Sequence, residues 1–210
     1  MAILLLPTVH VETRPKYDRF LTLLDQVSAE SWNQEPKCLC YCWLPSRQEG
    51  DLTVQGVELY AEEQALVVAH RSGAAYQQFR EALRDERLAP PPTANDLRFW
   101  RPTQEDPQTN LGLLSSLGKD SKTLTFLITR YQLADQKSQE NLLDKVQGSD
   151  FGGEDSEGPV VNIVATTEGL YDVVKLQIWS NINDATIEKA KAIETERQVL
   201  GAGARCLSAV

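Results

Sequence analysis

The order strand, helix, strand, strand, helix, strand is written twice along this sequence, and that repetition restricts the folds open to it more than any other feature. In the first pass residues 3 to 12 read as a strand. Tyr17, Phe20, Leu21, Leu24, Val27 and Trp32 then recur at helical spacing between Pro15 and about Asn33, with Thr13 as N-cap and a proline in the first turn. Lys37–Leu44 is a strand, Pro45–Asp51 a polar hairpin loop, and Leu52–Tyr60 the returning strand. A helix runs from Ala61 to about Arg87, with Glu62 and Glu63 at the positive end of its dipole and a break at Ser72-Gly73. Pro90-Pro91-Pro92 forbids further helix, and Asp96–Arg101 reads as the closing strand.

The second pass has strands at Thr123–Leu133, Val160–Thr166, Asp172–Trp179 and Ala204–Val210, and helices at Asp135–Val146 and Asp184–Leu200. An acidic, glycine-rich loop spans Gln147–Gly158. Local echoes support duplication: Leu23-Leu24-Asp25-Gln26-Val27 matches Leu142-Leu143-Asp144-Lys145-Val146, and Tyr60 corresponds to Trp179. The expected organisation is therefore α+β, with ferredoxin-like βαββαβ repeats over residues 1–104 and 121–210 and a linker over 105–120. In strands such as Cys38–Leu44 and Val173–Trp179 both faces are apolar or aromatic. A sheet with one wet face alternates with polar residues, so the face not covered by helices needs a partner. The other repeat can supply it, which makes the expected architecture an intramolecular dimeric α/β barrel, with a small-molecule cavity between a sheet and the helix ends at its rim.

Thirty acidic residues against 21 basic ones give a net charge of −9, a field that repels phosphate backbones and anionic headgroups. Neither nucleic acid nor a membrane is expected as partner. The opening Ile3-Leu4-Leu5-Leu6 is broken by Pro7 and lacks a basic flank, so it reads as a strand and not a leader; the expected location is the cytoplasm. Of four cysteines, Cys38, Cys40 and Cys42 alternate along one strand, which would place them on one face as reduced thiols. No second Cys or His pair completes a zinc site, and no glycine-rich phosphate loop, dinucleotide fingerprint or nucleophile elbow occurs.

The segment Glu35-Pro36-Lys37-Cys38-Leu39-Cys40-Tyr41, the strand ending Val57-Glu58-Leu59-Tyr60, and Ala69-His70-Arg71-Ser72 followed by Tyr76-Gln77-Gln78-Phe79 resemble the antibiotic biosynthesis monooxygenase superfamily over residues 3 to 101. That family carries a Glu-Pro-Gly-Cys turn before the second strand; Lys37 stands here at the glycine. The resemblance implies a dimeric α/β barrel whose members oxygenate aromatic polyketides without metal or flavin, cyclise or decarboxylate such compounds, degrade haem, or have no assigned activity. The haem-degrading branch uses an asparagine, a tryptophan and a histidine where this chain has Thr8 to His10, Ala69 and Phe79, so haem degradation is disfavoured.

His10 and His70 are the only histidines, hence the candidate general bases that titrate near neutrality without a large shift. His70 sits beside the helix break, where it could reach a pocket mouth or serve as a structural histidine; His10 shares a strand face with Leu6 and Thr8. Tyr41, Trp43, Tyr60, Tyr76 and Trp100 are the candidate walls for a planar ligand, with plain core as the bland reading. Arg14, Arg71, Arg98 and Arg101 could hold an anion or form a solvated face. The expected function is a cofactor-independent enzyme of natural-product metabolism, with no metal, acting on an aromatic or polyketide substrate by monooxygenation, cyclisation or decarboxylation. The alternative is a non-catalytic barrel that binds a small hydrophobic ligand or a protein partner. A homodimer is compatible with either.

Overall fold

The computed structural model describes residues 1–46, 49–91, 98–103, 124–147, 161–180 and 205–207, and the chain divides into compact units of residues 1–99 and 100–209. In the first unit the opening strand is split into β1 (Ile3–Leu5) and β2 (Thr8–His10). Pro7, with no N–H to give a ladder, lies in the gap, and its carbonyl accepts a hydrogen bond from Gly56 N at 2.7 Å. After the helix α1 (Arg14–Gln34) come β3 (Cys38–Pro45) and β4 (Thr53–Tyr60). β4 is the central strand, antiparallel to β1 and β2 on one side and to β3 on the other. A Cβ on Gly56 would stand 2.7 Å from Pro7 Cγ and 3.1 Å from Trp43 Cη2. Glycine is what lets those two rings close over β4.

α1 lays Tyr17, Phe20, Leu23, Leu24 and Val27 against Val11, Val54, Phe79 and Leu88. Each such side chain, fully buried, contributes about 1.5–3 kcal/mol. The apolar stripe ends differently from its expected course: Trp32 is 54% exposed, and Ser31 takes the buried position. Ser31 is held there by hydrogen bonds, its hydroxyl donating to Glu35 Oε1 at 3.1 Å and lying 3.2 Å from His70 Nδ1.

The second helix is broken where Ser72-Gly73 indicated. A π-helical turn, Ala65–His70, precedes α2 (Ala74–Asp85). The break is built by Glu30 of α1, whose carboxylate accepts from the N–H groups of Ala74 at 2.8 Å and Ala75 at 2.6 Å. These are donors that a helix start leaves unpaired, and the negative charge suits the positive end of the dipole. A Cβ on Gly73 would lie 2.7 Å from Glu30 Oε1 and 3.1 Å from His70 O, so a larger residue here would push the Glu30 carboxylate out of its capping position.

Both faces of the first sheet are buried, as its apolar strands led one to expect. Ile3, Leu5, Val54 and Tyr60 fill the helix side, and Leu4, Val57 and Leu59 the other. The cysteines depart from expectation. A bulge between Cys38 and Cys40 shifts the register by one residue, and in a period-2 structure one residue reverses the face. Cys38 packs with Tyr60 and Leu66, while Cys40 and Cys42 stand opposite Leu59 and Val57. All three are free thiols, with Cys40 Sγ and Cys42 Sγ 3.7 Å apart.

The second unit begins with a two-residue strand, β5 (Arg101–Pro102), followed by β6 (Leu124–Tyr131), α3 (Gln136–Gln147), β7 (Val161–Thr166), β8 (Val173–Ser180) and β9 (Arg205–Leu207). The sheet order is β5-β7-β8-β6-β9, antiparallel throughout. β9-β6-β8-β7 is the fourth-first-third-second order of a ferredoxin-like sheet, and the chain is two ferredoxin-like repeats in tandem. One expected strand moves. Of the strand expected over Asp96–Arg101 to close the first unit, residues 96 and 97 lie outside the described residues, and Arg101, with Pro102, pairs with Thr166 and Ala165 on the edge of the second sheet. Pro102 suits an edge because it cannot donate to a further strand. The expected linker over 105–120, almost all of the Gln147–Gly158 loop and the helix over Asp184–Leu200 lie outside the described residues. Among the described residues no helix is long and apolar enough to cross a membrane.

Candidate active site in the first unit

Between the helix side of the first sheet and the two helices lies a cavity of about 330 Å³, within the size range of small-molecule sites. Its walls are largely apolar and include five aromatic rings: Phe20 from α1, Tyr41 and Trp43 from β3, Tyr76 and Phe79 from α2. The rings pack on one another edge to face or tilted. Phe20 is 6.0 Å from Trp43 and 5.5 Å from Phe79, Tyr41 is 6.3 Å from Trp43, and Tyr76 is 6.4 Å from Phe79, measured between centroids. Such a set presents flat apolar faces with polar tips.

Into this apolar space β4 projects Glu58, only 7% exposed. Strand alternation puts it on the same side as Gly56 and Tyr60. Burial pushes its pKa from 4.5 to about 7, against the Tyr60 hydroxyl and the positive charge of Arg71, while the negative charge of Glu35 raises it further. The Tyr60 hydroxyl donates to Glu58 Oε2 at 3.2 Å. Burial first, and the charge of Glu58 second, hold the hydroxyls of Tyr41 and Tyr60 well above the usual tyrosine range. Burial likewise raises Tyr76, against the opposing charges of Arg80 and Arg71. The cavity thus holds one carboxyl that changes charge near neutrality, with neutral phenols as donors. Arg71 and Arg80 also line it.

His70 stands behind this wall and is not among the cavity residues. At 1% exposure it closes the π-helical turn, with its ring 5.0 Å from Tyr41, 5.5 Å from Tyr60 and 4.8 Å from Tyr76. Nδ1 lies 3.0 Å from Glu35 Oε2. A carboxylate only accepts, so this contact places the proton on Nδ1 and leaves Nε2 as an acceptor. Nε2 is buried without a partner. Burial lowers the His70 pKa and outweighs the opposing pull of Glu35. The two family-like motifs of the sequence, the Glu35-Pro36 turn and the Ala69-His70 pair, are thereby joined in one contact.

The other candidates divide. Tyr41, Trp43 and Tyr76 line the cavity, and His10 is at its rim, with its side chain 68% exposed and Nδ1 3.1 Å from Thr53 Oγ1. Tyr60 reaches the site only through its hydroxyl on Glu58. Trp100 is buried in the second unit and does not line the cavity. Glu58, Phe20 and Phe79 were not among the sequence candidates, and Arg71 was read only as a surface or anion-holding residue. A signal for Glu58 exists: it is a lone carboxylate inside an apolar strand, in step with Tyr60. The repeats also differ here. Leu142 and Trp179 each follow their counterparts Leu23 and Tyr60 by 119 residues, and the same interval carries Glu58 to Gln177, which is 0% exposed. Of the two third strands, the first alone places an ionisable group at this position.

Fold and cavity together define a tandem ferredoxin-like α+β protein with a buried carboxyl in an aromatic pocket of its first repeat. No family profile and no curated protein matches the chain. Among solved structures it is similar to a proposed monooxygenase from Fusobacterium nucleatum, at 11% identity and a TM-score of 0.63 over 99% of this chain and 92% of that one. It is also similar to a proposed monooxygenase from Lactobacillus acidophilus, at 11% identity and a TM-score of 0.66 over 100% of this chain and 93% of that one. At such identity the likeness is one of fold, and it extends over the whole tandem arrangement. A proposed antibiotic biosynthesis monooxygenase from Caulobacter crescentus matches 44% of this chain and 83% of its own length, at 25% identity and a TM-score of 0.39.

Proposed function

We propose that the first unit is a cofactor-independent enzyme acting on a small aromatic or polyketide substrate, with Glu58 as its general base. The observation that carries this reading is a buried carboxyl with a pKa of about 7 facing a cavity lined by aromatic rings. A group of that pKa is ionised in part at neutral pH and still takes up a proton readily. The substrate packs between Tyr41, Trp43, Tyr76 and Phe79, and Glu58 removes a proton from its acidic ring carbon or hydroxyl. Tyr41 and Tyr76 donate hydrogen bonds to the oxygen on which charge then develops. In monooxygenation the carbanion reacts with dioxygen, and a ring methylene becomes a ring ketone. The carbon loses two hydrogens and gains one oxygen atom, and the other oxygen leaves as water with those hydrogens, so no external reductant is required. The same proton abstraction starts a cyclisation. The resemblance to antibiotic biosynthesis monooxygenases and the shared fold of the two full-length neighbours support oxygenation as the first reaction to examine.

The test is aerobic turnover of anthrone, a planar compound with an acidic methylene, followed as the ketone product appears. Glu58→Gln should lower kcat by about two orders of magnitude, as removal of a general base does, and the wild-type rate should rise through an apparent pKa near 7. Turnover no faster than in buffer, or equal in the Gln variant, would overturn the assignment.

A further inference from the structure

The polar groups of the cavity are arranged with one exception to give hydrogen bonds or positive charge. We propose that the substrate of this site is an anionic aromatic compound, a planar ring system bearing a carboxylate, with Arg71 holding that group and Arg80 supporting it. The proposal rests on the reading of the cavity as a substrate site and names the class of compound it takes.

Arg14, Arg19, Arg84 and Arg101 each have a carboxylate oxygen within 4.0 Å. Arg71 and Arg80 line the cavity and have no such partner among the described residues. Arg71 is half-buried and Arg80 exposed. In a chain of net charge −9, two guanidiniums on one apolar cavity, neither with a carboxylate in close contact among the described residues and Arg71 hydrogen-bonded to Tyr76, form a local positive site, and a guanidinium matches a carboxylate with two parallel hydrogen bonds. The neutral donors point to the same ligand. The hydroxyls of Tyr41 and Tyr76 stay protonated through burial and can donate. Such a lining leaves donors unmatched unless the ligand brings acceptors. Glu58 is the exception. It opposes an anion placed beside it, so the carboxylate takes the guanidinium of Arg71, whose positive charge also acts on Glu58, and the ring faces Glu58.

The pair 1-hydroxy-2-naphthoate and 1-naphthol shares its ring and hydroxyl and differs by the carboxylate. Binding of each is measured by calorimetry at pH 7. The acid is expected to bind at least tenfold more tightly. Arg71→Gln should weaken the acid about tenfold and change 1-naphthol by less than twofold. Arg71→Lys should retain much of the preference, and Arg80→Gln should have a smaller effect because solvent and salt screen an exposed charge. Equal affinity for the two compounds overturns the proposal and leaves the cavity reading standing, as does an acid preference that survives in the Arg71→Gln, Arg80→Gln double variant. If neither compound binds, both fall together. Far-ultraviolet circular dichroism and the melting curve of each variant show that it is folded, so a loss seen with one ligand only cannot come from unfolding.

Discussion

Replacing Glu58 by Gln keeps the side chain's size and its ability to accept the Tyr60 hydroxyl while removing the charge, so it isolates the cost of an ionisable carboxyl in the cavity. The rise of its pKa from 4.5 to about 7, at ~1.36 kcal/mol for each pKa unit, amounts to roughly 3 kcal/mol. The sign follows from proton uptake. Below pH 4.5 the carboxyl is protonated in both folded and unfolded chains and costs nothing. Between pH 4.5 and 7 the unfolded chain releases the proton and the folded one keeps it, so stability falls with rising pH. Above pH 7 the full cost is present. The groups that set this balance are Tyr60 on the same strand, Tyr41 and Cys38 on β3, Glu35 after α1, Arg71 after the π-helical turn and Tyr76 on α2. Urea unfolding of both proteins at pH 4 and pH 8.5 should show the Gln variant about equal to wild type at the lower pH and more stable by roughly 3 kcal/mol at the higher. A variant that is less stable by the same amount at both values would refute the reasoning, because a group that costs stability only when charged cannot produce that result.

His70→Ala leaves a void among three tyrosine rings and strips Glu35 and Ser31 of a buried partner, so it should destabilise by about 2–4 kcal/mol in the same assay. Because burial holds the neutral form of His70 below its ordinary pKa, the wild type should lose stability as pH falls through about 6.5, and a His70→Gln variant should show less of that loss. Gly56→Ala drives a methyl into Pro7 and Trp43 and should cost about 1–3 kcal/mol, with weaker binding of 1-naphthol because both rings line the cavity. Glu30→Ala removes the carboxylate from the start of α2 and should cost about 1–2 kcal/mol in thermal or urea unfolding.

The fold was legible because its signals are local. Helix spacing from Tyr17 to Val27, the strand runs at Cys38 and Val173, and the glycine break before Ala74 each act over a few residues. Their repetition gave the tandem order. The exceptions are long-range. Nothing around Arg101 announces that it will pair with Thr166, and the bulge at Leu39 that separates Cys38 from Cys40 depends on β4. The site was half legible for the same reason. Aromatic residues on strands mark an apolar wall wherever they occur, so Tyr41, Trp43 and Tyr76 could be named. The chemistry of Glu58, by contrast, comes from burial, and a carboxyl whose pKa is moved by its surroundings is indistinguishable in sequence from a solvated one. His70 stood out in the sequence as the histidine beside the helix break, but its contact with Glu35, 35 residues earlier in the chain, is visible only in three dimensions.

The most direct measurement is a crystal structure of the Glu58→Gln variant with 1-hydroxy-2-naphthoate. The rings should lie between Tyr41, Trp43, Tyr76 and Phe79, with the carboxylate against Arg71 and the side chain of residue 58 facing the ring edge. A ligand bound outside this cavity, or inside it with residue 58 turned away and closed off by protein, would contradict the assignment of Glu58 as the group that acts on substrate.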